Sequence, residues 1–415
     1  MSRRYDVVVW GCSGFTGRLT CDYICKTYPH LKWAIAGRNE SVMKEIKSSL
    51  GLPSNVDILV GSIDDHESLL AITSKTKVLL STAGPYAKIG MPVVAAAVAG
   101  GAHYCDLTGE APFIRSVVDR FHEEAQAKKL KIVNCCGYDC IPCDLGTQMI
   151  AEEAFSKGCT GMTEVRYLAD KMRGSASGGT LASIFNMFES VPLFELMKLL
   201  NPFYLNPRDT TTKEPTVPHE NKSLYAKSSD NLVMGYDNVT RSWTMPYIMQ
   251  AVDTRLVNRS NALTDYRYGR TMVFSERLIV PNFFAALFGS IALTVGQALI
   301  FFPPTRYLIK KISPQPGQGP SAWMLDNGFF TARLWGTAVH PSTGEEVLVQ
   351  GNIKAYNGDP GYRQTAKMIA ESAVCLALDQ DRLPATHGIL TPSTAMGAVL
   401  RHRLVARGIE FNIVK

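Results

Sequence analysis

The sequence predicts an α/β chain: a parallel sheet sandwiched by helices, then a second α+β domain with a mainly antiparallel sheet. Three observations predict it. Short β-branched runs alternate with helix-like stretches over roughly the first third of the chain, and strands joined by helix-length crossovers run parallel. A glycine-rich turn, Gly11-Cys12-Ser13-Gly14-Phe15-Thr16-Gly17, follows the first run directly. Beyond Gly158 the alternation gives way to longer strand-like runs. At 415 residues the chain is also longer than one hydrophobic core usually organises, so domains are expected at 1–150 and from 151 onward.

In the first domain strands are expected at Asp6–Trp10, Trp33–Ala36, Val56–Val60, Val78–Thr82, His103–Leu107 and Ile132–Cys136. Helices are expected at Phe15–Tyr28, Asp64–Lys75, Pro92–Gly100 and Pro112–Lys129. Val7–Trp10 and Val78–Leu80 are almost wholly apolar, which suits central strands covered on both faces. In the second domain strands are expected at Thr163–Asp170, Tyr266–Phe274, Phe329–Val339 and Glu346–Ala355. A helix over Leu181–Leu200 places Leu181, Ile184, Phe185, Phe188 and Val191 on one face, the pattern of a core-facing stripe. Asn206–Ser229 reads as a polar loop, and Gly174–Thr180 as a flexible link into the helix.

Composition narrows the function classes. Apolar residues make up 46% and charged residues 19%, the latter below the ~25% of ordinary soluble domains. The net charge of +6 is far from the basic excess of a dedicated nucleic-acid binder. The start, Met1-Ser2-Arg3-Arg4 running into Tyr5-Asp6-Val7, has neither the apolar core of a signal peptide nor the pattern of a mitochondrial leader. With ten cysteines in a chain of this length, free thiols in a reducing, intracellular setting are the expectation.

The glycine turn sits between strand and helix, where tight turning brings backbone N–H groups to a pyrophosphate at the helix N-terminus. Gly11, Ser13, Gly14, Phe15, Thr16 and Gly17 are therefore candidate dinucleotide-binding residues of a Rossmann-type domain. A cofactor's ribose is read about 20 residues further on, where an NAD enzyme carries Asp or Glu. Here Ala36-Gly37-Arg38-Asn39 stands instead. An arginine pairs with a 2′-phosphate and a carboxylate repels it, so NADP(H) is favoured over NAD(H). Ser62 and Asp64 after the third strand, Ala83, Gly84, Pro85 and Tyr86 after the fourth, and Gly137 after the sixth lie at strand carboxyl ends, where such sheets bind ligands.

Trp10–Arg18, Trp33–Asn39, Gly84–Val94, Tyr104–Glu110, Cys135–Gly146, Gly178–Thr180, Tyr356–Tyr362 and Gly388–Ala395 together resemble the saccharopine dehydrogenase-like oxidoreductases. That family includes trans-acting enoyl reductases of bacterial glycolipid synthesis and animal proteins of lipid droplets. The resemblance runs from end to end. It implies a Rossmann domain, a second α+β domain (151–358) and a C-terminal segment (359–415) that returns to the first. It fixes no substrate. The sequence departs from the family at Cys140 and Cys143, where small polar residues are usual. Cys135 and Cys136 belong to one strand, and no second C-x-x-C pair accompanies Cys140 and Cys143. The expectation is therefore no metal.

Reduction needs a proton donor beside the hydride acceptor. Tyr138, Tyr86 and Asp139 are the catalytic candidates, with Asp106, Thr108 and Glu110 nearby in the same strand-end set. Each has a plainer reading: tyrosines pack, and Asp139, Asp144 and Glu110 cap helices.

Leu278–Thr305 contains no charged residue, and Arg277, Arg306, Lys310 and Lys311 flank it. It is long enough to span a bilayer. A single crossing would separate residues that the resemblance packs together, so attachment to the cytosolic face of a membrane or lipid droplet, or burial in a core or homodimer, are the expectations. The sequence thus predicts an NADP(H)-dependent reductase of an enoyl or keto lipid. The alternatives are saccharopine-type amino-acid chemistry, to which Arg166, Lys171 and Arg173 would contribute, and a non-catalytic nucleotide-binding scaffold on lipid.

Overall fold

The computed structural model describes residues 3–174, 178–218, 221–313 and 319–414. The first part runs β1 (Tyr5–Trp10), α1 (Phe15–Thr27), β2 (Trp33–Gly37), α2 (Glu40–Ser49), β3 (Asp57–Val60), α3 (His66–Thr73), β4 (Thr76–Ser81), α4 (Tyr86–Gly100), β5 (His103–Asp106), α5 (Ala111–Ala127), β6 (Lys131–Val133) and α6 (Ile141–Ser156). Next come β7 (Met162–Arg173), α7 (Gly178–Ser190), α8 (Leu193–Lys198), α9 (Lys222–Ser228), β8 (Gly235–Asp237), β9 (Ser242–Pro246), α10 (Gln250–Leu263) and β10 (Val273–Val280). The chain continues through α11 (Phe283–Phe301), α12 (Pro303–Ile312), α13 (Ala322–Asn327), β11 (Phe329–Val339) and β12 (Glu346–Ala355). A π-helical turn at Pro360–Gln364 leads into α14 (Thr365–Leu378), β13 (Gly388–Leu390), α15 (Pro392–Ala395), α16 (Gly397–Ala406) and β14 (Ile409–Val414).

The first sheet has the order β13-β6-β5-β4-β1-β2-β3 and is parallel throughout. Val7, Val8, Val9, Val78 and Leu80 are fully buried, as apolar central strands require. The second sheet, β14-β12-β11-β7-β10-β9-β8, is antiparallel except for the β7–β10 pair. The C-terminal stretch joins both sheets: β13 pairs with β6, and β14 with β12. Helix α14, buried over most of its length, packs on α1, β1, β4 and β5.

Several sequence expectations shift. α4 begins at Tyr86 and carries Pro92 inside it, because the Glu110 carboxylate accepts from the backbone N–H groups of Tyr86 and Ala87 at 2.9 and 2.8 Å and caps the helix from outside. β6 stops at Val133; Cys135 lies past the strand with φ of 65°, its N–H and the Asn134 amide directed at Asp106. The strand expected at Tyr266–Phe274 starts only at Val273, since Asp265 and Tyr266 form a left-handed turn, φ 54° and 56°, that ends α10. The helix expected at Leu181–Leu200 breaks at Pro192 into α7 and α8.

The charge-free segment divides as well. Leu278–Val280 are strand, and α11 is exposed, with 11% of its most apolar window buried. It is not a core helix of this chain. The strands on either side of the excursion, β10 and β11, both pair with β7. The chain therefore leaves and re-enters one sheet, which excludes a single membrane crossing.

Candidate active site

The glycine turn is built as its chemistry demands. Gly11 adopts φ of 89°, and a Cβ there would lie 2.8 Å from Ala83 N and Cβ. A Cβ on Gly17 would fall 2.3 Å from the Gly11 carbonyl oxygen, so α1 lies directly on the turn. Thr82 Oγ1 donates to that carbonyl at 3.0 Å, tying the β4 end to the β1 end. Ser13 is exposed, and Gly11, Gly14, Phe15 and Thr16 are half-buried around the open N-terminus of α1. The Gly11–Gly17 segment thus offers unpaired amides to an anion, a fit to a dinucleotide's pyrophosphate.

Arg38 is exposed at the end of β2 and has no hydrogen bond or ion pair with any described residue. Its neighbour Asn39 is engaged, its Oδ1 accepting from Val42 N at 3.1 Å as the cap of α2. Ser62 and Asp64 follow β3 on the same sheet edge; Ser62 Oγ accepts from Asp64 N at 3.3 Å, and Asp64 is exposed. Ala83, Gly84 and Pro85 follow β4 beside the glycine turn, with Gly84 exposed and close to Ser183 of α7. Two second-part contacts close over Phe15: the Tyr362 ring, 5.2 Å away and edge-on, and Gly319, which could carry no Cβ without meeting the Phe15 ring at 2.4 Å. The Tyr356–Tyr362 motif points toward the first of these contacts; no local pattern announces Gly319.

The candidates at the ends of β5 and β6 divide. Tyr86 is spent inside the core: its hydroxyl donates to the Ser81 carbonyl at 3.1 Å and accepts from Leu107 N at 3.2 Å. This corrects its assignment as an acid facing the substrate. Asp106, fully buried, receives Thr108 N, Cys135 N, Asn134 Nδ2 and the Tyr104 hydroxyl and holds β5 to β6; burial pushes it up to about 7. Asp144 is no cap. It accepts from Ser393 N at 2.7 Å, Ser393 Oγ at 2.8 Å and Ser260 Oγ at 2.5 Å, binding the C-terminal segment to α6 and α10.

Tyr138 and Asp139 remain at the sheet's carboxyl edge, directly after Gly137, which is itself buried against Thr365 and Leu107. Tyr138 N donates to Thr365 Oγ1 at 3.1 Å, and its ring sits edge-on to Phe330, 4.6 Å away. Its hydroxyl lies 3.4 Å from that of Tyr247. Burial raises the Tyr138 phenol, which stays protonated at neutral pH. Asp139 is exposed, yet desolvation by the surrounding protein pushes it up to about 6.

The same neighbourhood holds two acids that sequence reasoning missed. Asp253 on α10 and Glu276 on β10 are buried, at 0% and 1% exposure. Desolvation drives both well above the carboxylate range; the Asp253 carboxyl raises Glu276 further, whereas contact with the thiol of Cys140 and with Glu276 draws Asp253 partly back. They are far apart in sequence and converge only because α10 packs on β10 and α6. A glutamate inside the β10 run Val273–Val280, beside Ser275 and Arg277, was the one signal available.

All ten cysteines are free. Cys135 Sγ donates to Thr108 O at 3.0 Å and Cys143 Sγ to Cys140 O at 3.1 Å; burial raises the Cys143 thiol well above its usual range. Among the described residues no three His, Cys, Asp or Glu side chains are placed to hold a metal.

Comparison with known proteins agrees with this architecture. The family described as "Saccharopine dehydrogenase NADP binding domain" matches residues 7–133. A trans-acting enoyl reductase of Mycobacterium ulcerans is 31% identical over 98% of this chain and 97% of its own length. A trans-acting enoyl reductase of Mycobacterium bovis is 30% identical over the same shares of the two chains. The structure of apo saccharopine dehydrogenase (L-Glu forming) from Saccharomyces cerevisiae covers 99% of each chain with a TM-score of 0.53 at 11% identity, a likeness of fold alone. With the nucleotide turn, the two sheets and these full-length relatives in agreement, the chain belongs to the saccharopine dehydrogenase-like oxidoreductases, enzymes built on a nicotinamide-binding domain.

Proposed function

We propose that this protein is an NADP(H)-dependent reductase of an enoyl or keto group on a lipid-type substrate, working at a membrane or lipid-droplet surface on its cytosolic side. The bound nicotinamide would supply the hydride. Gly11–Gly17 would hold the pyrophosphate, and the free guanidinium of Arg38 would pair with a 2′-phosphate. Tyr138, at the strand ends where the acceptor would lie, would donate the proton.

The observation that carries the lipid reading is the position of α11. It packs on β9 so closely that a Cβ at Gly289 would meet Met245 Sδ at 2.6 Å, and Met245 lies two residues before Tyr247 of the site. Phe284, Phe288 and Ile291 on α11 are exposed, with exposed Leu232 and Val233 lining a groove beside Ile291, and Leu193, Phe194 and Met197 of α8 are exposed as well. Such a surface exceeds what a soluble monomer leaves bare. Lys310 and Lys311 lie in the last turn of α12, the helix that follows α11; Lys310 is paired with Glu189, which leaves Lys311 for anionic headgroups. The enoyl reductase names of the mycobacterial relatives support the same chemistry.

The amino-acid reading has weaker support: of its three cations, only Lys171 is exposed with no ion pair among the described residues. Arg166 is taken up by Glu164 and Asp237, and Arg173 lies over the rings of Trp323 and Phe329.

The test follows NADPH oxidation by the full chain in vesicles with a long-chain α,β-unsaturated acyl thioester, its short-chain counterpart, and lysine with 2-oxoglutarate. Faster turnover of the long-chain thioester, with NADPH over NADH, is expected. Turnover of the amino-acid pair alone would overturn the lipid reading. NADPH binding without oxidation of any acyl acceptor would make the protein a scaffold.

A further inference from the structure

Asp253 and Glu276 form a buried acidic pair without a counter-ion. Among the described residues neither carboxyl takes part in an ion pair, and no N–H or hydroxyl donates to Asp253 Oδ1 or Oδ2 or to Glu276 Oε2, all of which are buried. What lies within reach of Asp253 is Glu276 and the thiols of Cys140 and Cys143. The other titratable groups acting on the pair are Asp139 and Asp230. Tyr138, Tyr167 and Tyr247 in turn feel Glu276. Glu276 is in register with Tyr167 across the β10–β7 pair, so both face the same side of the sheet. Two carboxylates cannot both ionise in such a place, since each charge would be unsolvated and would repel the other. One proton must stay.

Unpaired buried acids on this scale would be expensive if they served only to fill space. They stand beside a pair of phenols, Tyr138 and Tyr247, whose oxygens are 3.4 Å apart, at the strand ends where the acceptor would bind. We propose that Asp253 and Glu276 share one proton and store it for the reduction, acting through the hydroxyls of Tyr247 and Tyr138.

The inference rests on the reductase reading. Reduction of a polarised double bond takes up one hydride and one proton. The hydride, from the reduced nicotinamide, adds to one carbon, and the displaced electron pair takes the Tyr138 hydroxyl proton. Tyr138 is then reprotonated from Tyr247, and Tyr247 from the carboxyl pair. The pair reloads from water through Asp139, so one proton leaves solvent per hydride transferred.

Infrared difference spectroscopy on the full chain tests the store without any substrate. At about pH 8, Asp106, Asp139 and Asp144, pushed up only to about 7, 6 and 6, are mostly ionised. A protonated-carboxyl band that shifts in D2O and persists at that pH is expected from the pair, and Asp253→Asn or Glu276→Gln should remove or move it. Should either variant fail to fold, Asp253→Glu, which keeps a carboxyl at the site, should move the same band. No such band, or one untouched by both substitutions, overturns the shared proton. With the acyl thioester, Glu276→Gln should lower kcat about a hundredfold, steepest at high pH, with NADPH affinity unchanged. An unaltered kcat and pH profile would overturn the role in turnover. The infrared result does not depend on the thioester, so a wrong substrate and a wrong proton store give different outcomes.

Discussion

Replacing Phe284 and Phe288 on α11 with glutamate should release the protein from lipid while leaving its fold intact. The two rings are stacked at 6.5 Å and are 65% and 63% exposed. An aromatic side chain offers about 200 Å², so roughly 130 Å² of each ring is open to solvent or lipid. At ~25 cal/mol per Å² this gives about 3 kcal/mol per ring, or about 6 for the two. Loss of that term alone lowers partitioning by about four decades, before the cost of bringing two carboxylates to the interface is added. The assay is flotation of full-length protein with vesicles containing anionic lipid. Wild type should rise with the vesicles, the variant should stay at the bottom, and the two should share one far-ultraviolet spectrum and one unfolding midpoint. Equal flotation of both, or of neither, would refute the reasoning. In the second case, a wild-type dimer dissociated by the substitutions in sedimentation would assign the face to a second copy of the chain.

Three further outcomes are expected. Arg38→Ala should weaken NADPH binding about 10- to 100-fold by removing a charge-assisted contact to the 2′-phosphate, and should leave NADH binding unchanged, as read by fluorescence titration. Glu371 is fully buried and accepts from Tyr23 and Tyr28 while pairing with Arg403 and Arg407; Glu371→Ala should cost about 3 kcal/mol, measured by denaturant unfolding. His103 and His122 are pushed down to about 4, chiefly by burial, and their Nδ1 atoms accept from the N–H groups of Lys131 and Ile389. Because the folded state binds fewer protons than the unfolded, the stability these rings contribute is present above about pH 6.5 and lost as pH falls toward about 4. The unfolding midpoint should drop across that window, and His122→Asn should reduce the drop.

The nucleotide half was legible because its signals are local. A glycine triplet between strand and helix, an arginine at the end of the second strand and apolar runs for central strands each follow from a few adjacent residues, and the structure joins Gly11, Gly17, Ala83 and Thr82 into one turn. The start of α4 was misplaced because its cap, Glu110, is remote in sequence. The strand after α10 was misplaced because a left-handed turn at Asp265 and Tyr266, which residue type does not announce, delays it.

By itself the sequence determined the α/β class, the nucleotide turn, and the existence and bounds of a charge-free segment, since periodicity, glycine placement and charge are written along the chain. Tertiary structure alone decided that this segment is an exposed helix rather than a buried one. It also decided that the segment cannot cross a membrane once, because β10 and β11 both pair with β7. Packing of α10 on β10 brought Asp253 to Glu276, and the fold spent Tyr86 inside the core while leaving Tyr138 at the strand ends. Each of these depends on which distant surfaces meet, and burial and charge pairing are properties of that meeting.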